Sequence, residues 1–449
     1  MRELLEEAAQ RAIAYLEVLG TRRVSPDAEA LEQLSTLDVP LPEAGMDPLQ
    51  VLRTLDEVGS PATVASAGSR YFGFVIGGSL PATVAAQWLA GAWDQNAGLV
   101  AASPISAKLE EVAGRWLLDV LDLPREAGVG FVTGATMANF TALAAARHAM
   151  LARRNWDVEA QGLFGAPPIS VIVGGEAHTS LLKALSLLGL GRDRVIRVPV
   201  DAQGRMRPDA LSIPDENTIV CIQAGNVNTG AFDPAAEICD IAHKAGAWVH
   251  VDGAFGLWAR ACPAKRFLGA GIELADSWAT DAHKWLNVPY DSGLAFARNA
   301  ADMRVAMSAT AAYLVEGEKR EPYHYTPELS RRARGVEVWA ALLSLGRQGL
   351  ADMIERDCRL AERMALALSK ANVQVLNEVC LNQVLVSFGS PEQTKKVIAG
   401  VQQDGTAWLG GTVWQDHAAM RISVSGWSTT EEDADRSVEA ILRAAEAVS

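Results

Sequence analysis

Between about residue 61 and residue 310, short uninterrupted apolar runs alternate with longer segments of helical periodicity. Val129-Gly130-Phe131-Val132, Val171-Ile172-Val173, Thr218-Ile219-Val220-Cys221-Ile222 and Trp248-Val249-His250-Val251 have strand length and carry many β-branched residues. Apolar positions that run on without alternating mark strands buried on both faces, and between helices such strands are largely parallel. Residues 1–60 read differently. Their acidic and apolar positions follow a helical period, broken by Pro26, Pro40, Pro42 and Pro48, with too little apolar material for a separate core. This predicts a helical arm that wraps another surface. Beyond residue 335 the pattern becomes a long amphipathic helix over 336–370, then strands near 373–375, 384–388 and 420–424. A closing helix follows, capped by Thr429 with Glu432 three residues on. The expected organisation is an arm over 1–60, a large α/β domain over 61–310, a polar loop over 311–334 and a small α+β domain over 335–449.

At 449 residues the chain exceeds what one compact core organises. Its net charge of −14 argues against nucleic acid or an anionic membrane as partner, because both reward basic surfaces. The start, Met1-Arg2-Glu3-Leu4-Leu5-Glu6-Glu7, lacks a basic lead and an apolar signal core, and no apolar stretch is long enough to span a bilayer. A cytoplasmic location is expected. The five cysteines are scattered without a Cys-x-x-Cys pair, so they are read as reduced and structural, and no metal site is expected.

The chemistry sits where strands end. Thr133-Gly134-Ala135-Thr136-Met137-Ala138-Asn139 follows a strand and opens an alanine-rich helix, so that backbone N–H groups near Ala135 and the Thr136 hydroxyl converge at a helix N-terminus. Such a start holds phosphate, although a Gly-containing turn before a helix also serves simply as a turn. Asp252 ends an apolar strand, where a bare carboxylate is costly unless paired, and Gly253 and Ala254 beside it are small enough to lie under a flat ring. The alternative for Asp252 is a turn cap. His178 follows another strand and offers an imidazole to the opposite face of such a ring. Lys284, in Asp281-Ala282-His283-Lys284-Trp285-Leu286-Asn287, completes the set. An activated lysine and an acid for a pyridinium nitrogen are what a pyridoxal 5'-phosphate (PLP) site must supply, and desolvation would make the lysine reactive near neutral pH. Each residue singly has an ordinary explanation; four such motifs at strand ends of one α/β domain point to one site.

These residues resemble the group II PLP-dependent amino-acid decarboxylases, the family of aromatic-L-amino-acid, histidine and glutamate decarboxylases. The resemblance runs from Tyr71-Phe72-Gly73-Phe74 and Ala102-Ser103-Pro104, through His178, Asp252 and His283-Lys284-Trp285-Leu286, to Arg421 in Ala419-Met420-Arg421-Ile422-Ser423. It implies the type I PLP-dependent transferase fold, aspartate aminotransferase-like, with a large mostly parallel sheet and a small C-terminal domain. It also implies a homodimer with active sites at the interface and the N-terminal segment packed on the partner. By position, Lys284 resembles the Schiff-base lysine, Asp252 the pyridinium partner and His178 the ring-stacking residue. Ala135, Thr136 and His283 fall at the family's phosphate site, and Arg421 near its substrate-carboxylate site. Three departures stand out. Gly225-Asn226-Val227-Asn228-Thr229 replaces a threonine contact to the cofactor, which Asn226 is positioned to take over. Asp281 stands where the family has Asn, and the residues after Leu286 diverge.

The implied reaction is decarboxylation of an L-amino acid to its amine. The polar, Pro-bounded stretch from Gly317 to Pro327 reads as an active-site loop, with Tyr323 as proton donor and Tyr325 as runner-up. Tyr71, Phe72, Phe74 and Trp88 favour an aromatic substrate, whereas an acidic one needs a further cation, for which Arg70 is the candidate. Oxidative decarboxylation to an aldehyde, aminotransfer and non-catalytic PLP binding are the competing outcomes.

Overall fold

The computed structural model describes residues 1–308 and 320–448, so the part of the expected loop at 311–319 lies outside the described residues. The chain forms two units: one of residues 79–359 and 377–383, the other of residues 1–78, 360–376 and 384–449. These divisions differ from those that composition suggests, because the segment up to residue 78 joins the C-terminal sheet through backbone pairing: Trp408 N donates to Arg70 O at 3.1 Å and Phe72 N donates to Trp408 O at 2.8 Å.

The larger unit is built on seven strands, β1 (Gly128–Val132), β2 (Ser170–Gly174), β3 (Ile196–Val198), β4 (Thr218–Gln223), β5 (Trp248–Asp252), β6 (Ser277–Asp281) and β7 (Gly293–Ala297). Their order is β1-β7-β6-β5-β4-β2-β3, with β7 antiparallel to both of its neighbours and the other pairs parallel. β1, β4, β5, β6 and β7 are buried along their whole length, β6 in spite of its polar Ser277, Thr280 and Asp281. The helix Ala135–Ala152 lies on this sheet. Ala138 and Ala145 pack with Val132, Ala279, Ala295 and Ala297, so small side chains on both sides bring helix and sheet close. Its other flank, with Leu143 and Met150, joins Val171, Val173, Ile219, Cys221 and Trp248 in the main core.

The second unit carries an antiparallel sheet of β8 (Gln374–Val375), β9 (Gln383–Ser387), β10 (Gly410–Trp414) and β11 (His417–Ser423), in the order β10-β11-β9-β8. The long helix appears at Gly335–Lys370 but is broken at Gly346, whose φ of 60° and ψ of −175° are not helical. The closing helix, Glu431–Glu446, is capped one residue later than expected: Thr430 and Asp433 form the reciprocal capping box. Thr429 instead donates its hydroxyl to Ser69 O at 2.8 Å, a long-range demand invisible in the local motif. Among the described residues no helix is long and apolar enough to cross a membrane.

Candidate active site

Because β1, β2, β4, β5 and β6 run the same way, the loops after their C-terminal ends share one edge of the sheet, where open α/β sheets bind ligands. Ala135, Thr136, His178, Asn226, Asp252, Ala254, His283 and Lys284 all belong to these loops or strand ends.

Asp252 is 5% exposed at the end of β5. Its Oδ2 accepts from Asn139 Nδ2 at 3.2 Å and its Oδ1 from the Ala254 N–H at 3.3 Å. Burial pushes this carboxyl above the usual carboxylate range, against the pull of positive charge at His178 and Lys284 and of the two donors. Asn139 in turn faces His250, which burial drives down to about 3 and so keeps neutral. Asn139 and His250 fall within the sequence motifs that point to the site, but the motifs give neither a role there. The available signal is a polar residue on an otherwise apolar strand, two positions before Asp252 and so on the same face.

After β6 the chain turns through Asp281, His283 and Lys284. Lys284 Nζ lies 3.1 Å from Asp281 Oδ2. His283 Nδ1 accepts the Ser292 N–H at 3.0 Å, which leaves the hydrogen of the neutral ring on Nε2, 3.6 Å from Asp281 Oδ1. Tyr290 stacks on this imidazole with centroids 4.3 Å apart. Burial holds the His283 pKa below its ordinary value.

The helix Ala135–Ala152 starts without a side-chain cap, so no side chain claims its leading N–H groups. A Cβ on Gly134 would come within 3.1 Å of His283 Cε1, and one on Gly293 would collide with the Gly134 backbone. The turn is thus pressed against the loop that carries His283 and Lys284. His178 caps the helix Thr179–Leu187, its Nδ1 accepting the Ser180 N–H at 3.2 Å, which fixes the orientation of its ring.

Buried polar atoms stand open here, Ser292 Oγ beside His283 among them. Asn226 Oδ1 accepts from the N–H groups of Asn228 and Thr229 at 2.9 and 3.2 Å, yet its Nδ2 has no hydrogen-bond partner among the described residues; nor has Asp281 Oδ1. Buried polar atoms are nearly always satisfied, so such atoms mark a place where a ligand belongs. An uncapped helix start, an imidazole N–H, an orphan amide donor, a buried carboxylate and a lysine form a donor set that fits PLP.

The remaining sequence candidates belong to other elements of the chain. Tyr323 is buried in the short helix Pro322–Tyr325, its N–H donating to Gly98 O at 3.0 Å and its ring 4.2 Å from that of His324. The Arg320 guanidinium lies 4.4 Å from the Tyr325 ring centroid. Tyr71, Phe72 and Arg421 belong to the second unit. Tyr71 stacks on Trp408 at 5.0 Å, and the Ser423 N–H donates to Phe72 O at 3.0 Å, so the Tyr71-Phe72 segment and the strand of Arg421 are neighbours. Among the described residues the Arg421 side chain has no hydrogen-bond or ion-pair partner, and burial lowers its pKa.

Comparison with known proteins accords with this site. The aromatic-L-amino-acid decarboxylase of Bacillus atrophaeus is 27% identical over 96% of this chain and 93% of that one. The acidic amino acid decarboxylase of Bos taurus is 28% identical over 78% of this chain and 67% of that one. The crystal structure of Oryza sativa TDC with PLP and tryptamine superposes with a TM-score of 0.90, at 22% identity, covering 99% of this chain and 97% of that one, which shows the type I fold. The pyridoxal-dependent decarboxylase conserved domain matches residues 33–389, and with it this chain belongs to the pyridoxal-dependent decarboxylase family, the group II PLP-dependent amino-acid decarboxylases.

Proposed function

We propose that this enzyme decarboxylates an L-amino acid with an aromatic side chain, releasing the amine and CO2. The observation that carries the substrate preference is the fate of Arg70. This guanidinium is 3% exposed and donates to the carbonyl oxygens of Gly20, Arg22 and Thr406, with Asp433 at 3.8 Å. It is therefore committed to its own unit and is not the spare cation that a side-chain carboxylate would need. The neighbouring Tyr71, Phe72 and Phe74 offer aromatic surface instead, Phe74 being exposed.

When bound, PLP supplies the electron sink for the pair released with CO2. Lys284 would anchor its aldehyde end, with the Ala135 and Thr136 amides and His283 Nε2 on the phosphate. Asp252 would pair with the ring nitrogen, His178 would cover one face, Ala254 would lie beneath the ring, and Asn226 Nδ2 would donate to a ring oxygen. Arg421 would take the substrate carboxylate, and Tyr323 would return a proton to Cα. A homodimer, with the N-terminal arm on the partner, is supported by the helix Arg2–Val18, which has no buried residue and exposes Leu5, Ile13, Leu16 and Val18.

A second reading, an acidic substrate, draws on the comparable identity to the acidic amino acid decarboxylase. The presence of Tyr323 and His178 speaks against an oxidative outcome. The test is to incubate the PLP-loaded protein with single L-amino acids and to follow amine, aldehyde and peroxide. Amine from an aromatic substrate is expected. Amine only from glutamate, aspartate or cysteine sulfinate would overturn the preference, and aldehyde with peroxide would overturn the amine product. Turnover of none of them would overturn the catalytic reading.

A further inference from the structure

Behind Asp252 runs a chain of hydrogen bonds whose direction is set by the carboxylate at its near end. Trp248 Nε1–H can only donate, and it gives its hydrogen to Ser277 Oγ at 2.9 Å. Ser277 Oγ lies 2.9 Å from His250 Nδ1 and, with one lone pair and its hydrogen still free, suits either direction; the choice falls to the Asp252 carboxylate, which only accepts and so calls for a donor at Asn139 Nδ2 and, behind it, at His250 Nε2. Neutral His250 thus carries its hydrogen on Nε2, facing Asn139 Oδ1 at 2.8 Å, and its Nδ1 accepts from Ser277. Ser277, His250 and Asn139 are 0% exposed, so water cannot substitute for any link. The opposite amide orientation would set Asn139 Oδ1 against the carboxylate and Nδ2 against the donor N–H of His250.

We infer that Asn139 and His250 are positioning residues that keep the proton between Asp252 and the cofactor's ring nitrogen on the ring. This inference rests on the PLP site proposed above. Burial by itself favours a neutral Asp252, whereas hydrogen bonds donated to the carboxylate favour its charged form. Asn139 on one oxygen and Ala254 on the other oppose transfer of the proton to Asp252, since a protonated oxygen would lose strength as an acceptor. Asn139 and His250 keep their hydrogens as donors within the chain, one an amide and the other a neutral imidazole, and so steady the carboxylate without taking up its proton. They touch neither substrate nor ring and act only through Asp252.

The experiment reconstitutes the full-length protein with PLP labelled with nitrogen-15 in the ring and records the ring-nitrogen resonance, with kcat and KM measured alongside. The wild type is expected to show the protonated ring. Asn139→Leu is expected to move the resonance towards the unprotonated position and to lower kcat about 10- to 100-fold, the size of a hydrogen bond to a buried charge, with little change in KM. His250→Phe, which frees the amide to turn, is expected to give the same shift, whereas His250→Gln, which keeps an N–H donor, retains the wild-type resonance. If Asn139→Leu does not fold, the contrast between the two His250 variants decides on the same readout. A protonated ring in wild type, Asn139→Leu and His250→Phe alike overturns the inference and leaves the proposed function standing. A wild-type protein that takes up no PLP overturns both.

Discussion

Two aspartates of the larger unit end up equally buried a short way apart and are held in opposite ways. Gln223, at the end of β4, is the register partner of Asp252 on β5, and the Gln223 N–H donates to Asp233 Oδ2 at 2.7 Å while Met206 N–H donates to Oδ1 at 2.6 Å. Asp233 and Asp252 are each 5% exposed. Asp233 is held by two short main-chain bonds and ties the turn after β4 back to the sheet. Asp252 is held at 3.2 and 3.3 Å, with a side-chain amide as one donor and with Lys284 and His178 acting on its charge. Burial and residue type are the same in both. The source of the donors separates a carboxylate that fastens the fold from one that stays available to a ligand.

Exchanging each aspartate for alanine should break the pair apart. Asp252→Ala is expected to lower kcat on the order of 10³-fold or more, through loss of the ring-nitrogen partner, with a thermal midpoint near that of wild type. Asp233→Ala should leave two buried N–H groups without acceptors and lower unfolding free energy by about 2–4 kcal/mol, measured by denaturant titration, while the folded fraction keeps its kcat. Equal losses of stability in the two variants would abolish the distinction.

pH sharpens the contrast. Burial raises the Asp233 pKa from 3.8 to about 6, so the folded protein holds a proton there that the unfolded chain has released. Its contribution to stability is therefore full below about pH 4 and is lost as pH rises through about 6. The penalty of Asp233→Ala should shrink by about 1–3 kcal/mol between pH 4.5 and 7.5, in melts run across that range. The smallest effect is expected at another buried aspartate of the larger unit: Asp281→Asn installs the residue that the family resemblance implies there and should change kcat within about tenfold, about 1.4 kcal/mol. A larger loss would give the carboxylate a role of its own.

What the chain disclosed in advance was what neighbours in sequence decide. Buried parallel strands announced themselves as unbroken apolar runs, and Asp252 and His178 each sat at or just after a strand that such runs locate, whereas Lys284 follows β6, whose Ser277, Thr280 and Asp281 interrupt the pattern. The partnership of Asn139 and His250 was not legible, because it joins residues 111 apart through the packing of a helix on a strand. The same holds for Arg70: its side chain is claimed by carbonyl oxygens at Gly20, Arg22 and Thr406, far away in sequence. The closing cap shows the limit at short range. Thr429 and Thr430 offer nearly equal local motifs, and the carbonyl of Ser69 decides between them.

The alanine-lined contact between the helix Ala135–Ala152 and the sheet has a consequence for how this enzyme tolerates mutation. From Ala135 to Ala145 the helix rises about 15 Å. Ala138, Ala142 and Ala145 are fully buried over that span, with alanines of β6 and β7 beneath Ala138 and Ala145. There is no slack along this seam, and one added methylene costs about 1–3 kcal/mol or displaces the helix as a rigid rod. Displacement moves the phosphate-facing start and Asn139 together. If the helix start holds the phosphate as proposed, cofactor affinity is encoded partly in methyl groups away from it, and a random-mutagenesis screen for weakened PLP retention should recover changes at Ala142 and Ala145 as readily as changes in the proposed binding loops.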